Sequence, residues 1–162
     1  MAIPRFSMNG DGKSSKSQPP QGDKSDVVRT LQVKFDELNE LWVKAEKQLK
    51  RIPIPVNVSI EYKSVAVTDD PNYDNGDRIH SLLGFVKWGG QWRLCYGEYH
   101  DGFPDMDTSW KPIADCSADI RIETIRHLNK LREAVLAKAA DCVETLDKSI
   151  DDLTSTLTGW KK

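Results

Sequence analysis

Apolar residues recur in the first third of the chain at Val28, Leu31, Phe35, Leu38, Trp42, Ala45, Leu49 and Ile52, alternately three and four positions apart. That is a heptad seam, the pattern of a helix packed along another helix. It predicts a helix over residues 25–52. Ser25 or Asp26 can cap its free N–H groups. Glu40 with Lys44 and Glu46 with Lys50 form i,i+4 pairs on its flanks. Pro53 and Pro55 end it. The period then falls to two. Val56, Val58, Ile60 and Tyr62 alternate with Asn57, Ser59, Glu61 and Lys63, which is the pattern of a half-buried strand. Val65 and Val67 fall on the opposite phase, and a bulge near Lys63–Ser64 reconciles the two halves.

The middle of the chain is organised around Phe85-Val86-Lys87-Trp88-Gly89-Gly90-Gln91-Trp92-Arg93-Leu94-Cys95-Tyr96. Gly89-Gly90 supplies positive φ at both turn positions, which a two-residue hairpin turn of type I′ requires. Trp88 then pairs with Gln91, Val86 with Arg93, Gly84 with Cys95 and Leu82 with Gly97. The other face pairs Lys87 with Trp92, Phe85 with Leu94 and Leu83 with Tyr96. Side chains alternate across a strand, so these are two surfaces. Leu83, Phe85, Trp92, Leu94 and Tyr96 make the more apolar one, which is assigned to the core. The second carries His80, Leu82, Val86, Trp88, Arg93, Cys95 and Tyr99, with a low area at Gly84 and Gly97.

A second helix is predicted over 117–158, with Ser117 at its start, Asp119 in its first turn and Gly159 as a C-terminal stop. Ile122, Ile125, Leu128, Leu131 and Val135 form a first stripe. Leu136, Ala139, Val143, Leu146, Ile150, Leu153, Leu157 and Trp160 form a second heptad seam. The expected fold is α+β: two long antiparallel helices, a coiled-coil-like hairpin, with an inserted three-stranded antiparallel β-meander over 54–100. An antiparallel partner of the first helix reaches only to about residue 144. The stripe beyond Thr145 is therefore left uncovered, which predicts self-association, most simply as a homodimer. The layout resembles that of prefoldin subunits, from which the unequal helices and the long first strand depart.

Residues 1–24 are rich in Ser, Gly, Pro, Gln and Lys and are expected to form a disordered tail before a single domain over 25–162. Within the tail, Gly10-Asp11-Gly12-Lys13-Ser14 lacks the first glycine and the preceding strand of a phosphate loop. In TDDPNYDNGD, residues 68–77, Asp70, Asn72 and Asp74 have the alternate spacing of a calcium loop. Asn75 stands where its glycine belongs and Ser81 where its bidentate Glu is needed, so a solvated turn is expected.

The 162 residues carry a net charge of -2. No basic excess marks a phosphate-binding surface, so nucleic acid is disfavoured as a partner. No apolar run reaches the ~20 residues of a membrane span, and the N-terminal sequence lacks an apolar signal centre. Cys95, Cys116 and Cys142 fit no metal or disulfide spacing, which suits a reducing, cytoplasmic setting. Cys95, His100 and Asp101 could form a thiol–base set, but a mid-strand Cys is expected to be packed. His127 with Glu123 is only half of a metal edge. No catalytic residue, metal site or cofactor is assigned.

Aromatic residues on the hairpin serve first as core, yet Trp, Tyr and Arg also anchor interfaces. The chain is therefore expected to be a non-enzymatic oligomeric interaction or adaptor protein that binds a protein partner through a sheet face, with Arg93, Trp88, His80 and Tyr99 as binding residues. The alternative is a small-ligand binder, for a nucleotide or metabolite, using a cleft between hairpin and helices.

Overall fold

The computed structural model of the chain describes residues 24–68, 76–103 and 107–160. The tail before Lys24 and the loop holding Asp70, Asn72, Asp74 and Asn75 lie outside the described residues. The chain divides into two compact units, Met1–Lys34 and Phe35–Lys162. The described part of the first is helical from Lys24 on, with Val27, Val28 and Leu31 exposed. Everything below concerns the second.

The elements are α1 (Lys24–Leu49), β1 (Val58–Ala66), β2 (Arg78–Trp88), β3 (Gln91–His100), β4 (Ser109–Pro112), a 3-10 turn (Ile113–Asp115), α2 (Ala118–Ile125) and α3 (Leu128–Gly159). The α+β class holds. The sheet has four antiparallel strands in the order β1-β2-β3-β4, not three. β4 pairs Gly97 with Trp110 and Cys95 with Pro112, in the stretch between the expected meander over 54–100 and the expected second helix over 117–158. Four residues are too few for alternation to show. Its terminal proline is tolerated because it sits at an edge.

The hairpin turn has Gly89 at φ 55° and Gly90 at φ 80°. The β2–β3 register runs from Trp88↔Gln91 through Val86↔Arg93 and Gly84↔Cys95 to Leu82↔Gly97, as the turn requires. The irregularity in β1 falls between Glu61 and Lys63, one or two residues before the expected position. By register it moves Val65, opposite Ile79, onto the face of Val58 and Ile60, opposite Phe85 and Leu83, but Val65 stays exposed while Val58 and Ile60 are buried.

The assigned core face carries the main buried cluster. Leu83, Phe85, Leu94, Val58 and Ile60 join Trp42 and Leu49 of α1, Leu131 and Val135 of α3, Ile54 and Ile113 in one buried cluster. Burying such side chains contributes about 1.5–3 kcal/mol each. Trp92 stacks on Phe85 at 5.5 Å between ring centroids.

The helices depart from the expected layout. α1 ends at Leu49, short of Ile52. The single helix over 117–158 is two, broken at Arg126–His127. No Pro or Gly stands there. The Thr124 hydroxyl donates to the carbonyls of Ile120 at 2.8 Å and Arg121 at 3.1 Å, a back-bonding that bends helices. His127 stacks on Tyr62 at 4.8 Å and so turns the chain onto β1.

α1 and α3 are also not antiparallel. Asn39 meets Arg121. Leu38, Trp42 and Ala45 then share a cavity with Ile125 and Leu128. Further on, Leu49 and Ile52 share one with Leu128, Arg132 and Leu136. Both segments advance together, so they run in the same direction. The cause is α2. It carries the chain from the β4 edge back to β1, where Lys63 pairs with Glu123 at 3.0 Å. α3 then runs along β1 and β2.

Candidate interaction surfaces

Arg93, Trp88, His80 and Tyr99 share one face of the sheet but form two separate groups. His80 and Tyr99 are cross-strand partners at one end of the hairpin. Arg93 and Trp88 lie towards the other, about 20 and 26 Å away at strand rise. The low area between them is filled. A Cβ placed on Gly84 would come within 2.8 Å of the Trp110 ring, and one on Gly97 within 2.6 Å. The indole of β4 therefore lies over both glycines. Leu82, Val86 and Cys95 on that face are buried as well.

His80 stacks on Tyr99 with centroids 4.4 Å apart and planes 5° from parallel. Its Nδ1 lies 3.1 Å from Glu61 and its Nε2 2.9 Å from Asp101. The Asp101 carboxylate raises the His80 pKa above its ordinary value; desolvation opposes this and Glu61 adds to it. The pair of carboxylates holds the ring in place, which is a structural role for Glu61 and Asp101 that their sequence positions did not reveal.

At the other end, Arg93 is held by α1. Its Nε donates to Glu46 at 3.1 Å, and the Leu94 backbone N–H donates to the same carboxylate at 3.0 Å. β4 stops pairing at Cys95, so Glu46 takes up the edge N–H that the strand does not. Burial would raise the Glu46 pKa, but Lys50, the Leu94 N–H and Arg93 together outweigh it and hold the carboxyl below its usual value. Trp88 is 42% exposed and stays open to solvent.

The possible reactive sets are dispersed. Cys95 is fully buried, and desolvation pushes its thiol up to about 12. Asp101 pairs with His80, while His100 packs edge-on to Phe103. His127 stacks on Tyr62 while Glu123 pairs with Lys63. Among the described residues no group of three His, Cys, Asp or Glu could hold a metal ion, and no helix is long and apolar enough to cross a membrane.

Two larger features lie on the helices. A groove of about 470 Å³ runs between α1 and α3, floored by Leu49, Ile52 and Leu128 and rimmed by Arg51, Arg132, Asn129 and Gln48. The α3 seam continues from its edge at Leu136 into open solvent. Val143, Leu146, Ile150, Leu153, Leu157 and Trp160 are between 43% and 75% exposed. Compared with protein-family models, curated proteins and solved structures, the chain matches none of them.

Proposed function

We propose that this chain is a non-enzymatic, oligomeric interaction protein that assembles through α3. The observation that carries this reading is the exposed apolar seam from Val143 to Trp160. Leaving large apolar side chains in water forgoes up to about 1.5–3 kcal/mol each, and an isolated helical end of this length is marginal on its own. A contiguous apolar patch of this kind marks a binding surface. The sheet face contributes to partner binding through its hairpin end, at Trp88 and Arg93, because Trp110 occupies its centre. Free Cys95, Cys116 and Cys142 support a reducing, cytoplasmic setting.

Sedimentation equilibrium of the wild type and of the Leu146→Asp, Leu153→Asp variant tests it. The wild type is expected to be oligomeric and the variant monomeric with helicity kept. A wild type that is monomeric at tens of micromolar defeats the reading. Small-ligand binding is a second reading, favoured by the α1–α3 groove, whose volume is that of an ordinary ligand pocket. A thermal-shift screen with nucleotides and metabolites tests it, since only a ligand binder is stabilised.

A further inference from the structure

The α1–α3 groove extends beyond the cavity floored by Leu49 and Ile52. Ala45 and Leu128 line both that cavity, of about 470 Å³, and a smaller one of about 120 Å³ beside Leu38, Leu41, Trp42 and Ile125. The two are therefore halves of one furrow. We infer that its occupant is a free single-chain amphiphile with an anionic head, a fatty-acid carboxylate. The head lies at Arg51 and Arg132, and the tail runs towards Trp42. This rests on the reading of the groove as a small-ligand site and adds to it the class of the ligand and its direction. It makes no use of the α3 seam beyond Leu136.

The polarity of the lining sets the direction. In the larger half, Gln48 and Arg51 stand across from Asn129 and Arg132 of α3, over Leu49 and Ile52. In the smaller half every lining side chain is apolar. Among the described residues that line either half, none is acidic. Two guanidinium groups with no carboxylate between them attract an anion, and their planar fork matches a carboxylate bidentately. Arg51 gives one donor to Gln48 at 3.2 Å and keeps the others. Arg132 has no side-chain partner among the described residues.

The apolar half selects the ligand among anions. Along α1 the furrow runs from Leu38 to Leu49, about 16 Å at helix rise, and only its arginine half carries donors. A nucleotide is polar along its length, so part of it would lie against Leu38, Leu41 and Ile125 with its hydrogen-bonding groups unpaired. An extended peptide meets the same difficulty with its backbone amides. An acyl chain has no such groups. It gains from each methylene laid on Leu41 and Ile125, both exposed to water without it. The volume is that of a small-molecule site.

Calorimetric titration of the full chain with octanoate, decanoate and dodecanoate tests it, with dodecanol as the uncharged control. Affinity is expected to rise about two- to fourfold per added methylene. Arg51→Ala combined with Arg132→Ala is expected to weaken dodecanoate about tenfold and to leave dodecanol unchanged. Leu41→Asn is expected to flatten the dependence on chain length. All three residues are exposed, so the fold is kept. Dodecanoate that fails to bind, or that binds the double variant as tightly as the wild type, overturns the inference. So does binding confined to anionic phospholipid vesicles or to an acidic peptide. Stabilisation by a nucleotide alone overturns it while leaving a small-ligand site standing. If no ligand stabilises the chain, both fall.

Discussion

Trp110 lies flat across Gly84 and Gly97, close enough that a methyl group on Gly97 would meet its Cζ3 at 2.6 Å and Thr108 Cγ2 at 3.0 Å. The two glycines on β2 and β3 thus act as the seat for an aromatic ring from β4. Gly97→Ala is expected to cost about 1–3 kcal/mol, the usual penalty of overpacking. The cost should fall in a Trp110→Ala background, because only the 3.0 Å approach to Thr108 then remains. Urea denaturation of the four-member cycle measures the coupling. Equal costs in both backgrounds would show that the indole does not sit on Gly97.

The hairpin turn depends on conformation rather than space. Gly89 and Gly90 have positive φ, and nothing lies within 4 Å of an added Cβ. Valine at either position is expected to lose about 1–3 kcal/mol from backbone strain alone. Asparagine, which tolerates this region, should lose less. A Gly90→Val protein with the wild-type denaturation midpoint would contradict the turn.

His80 makes stability depend on pH. Its folded pKa lies above the ordinary 6.5 because of Asp101 and Glu61. Its contribution is therefore fully present below about 6.5 and is lost as pH rises through the higher folded value. The stability difference between wild type and His80→Asn should shrink across that interval. A proton NMR titration of the His80 ring should give a midpoint above 6.5, and one at or below it would remove the prediction.

Glu46 joins α1 to the end of β3. Glu46→Ala removes the acceptor for both the Leu94 N–H and Arg93, and a loss of about 1–3 kcal/mol is expected. Glu46→Gln keeps an acceptor and should lose less. The depressed Glu46 pKa means that its contribution is present above about 4.5 and fades as pH falls through the folded value. Thermal melts of both variants at neutral and acidic pH check this, and an unchanged melting temperature for Glu46→Ala at neutral pH would show that α1 is held by other contacts.

The features legible in the sequence were those decided within a few residues. Gly89-Gly90 sets the turn because φ is a local property, and the turn then sets the whole β2–β3 register and the core face at Leu83, Phe85 and Leu94. Pro53 and the change of period set the passage from α1 to β1. The apolar seam at Leu146, Ile150 and Leu153 was legible as a stripe and is exposed, although the antiparallel pairing from which its exposure was expected is not the one the fold adopts. Only the tertiary structure decided what depends on distant partners. Trp110 needed the seat made by Gly84 and Gly97 on two other strands before a four-residue segment could be a strand at all. The break at His127 needed Tyr62 of β1 to stack against. The shared direction of α1 and α3 followed from α2 crossing the sheet, a path that no periodicity records. Arg93 and His80 looked like free groups because their anchors, Glu46 and Glu61, lie far away in sequence. Periodicity reports which side of an element is apolar; what that side meets is set by pairings between elements.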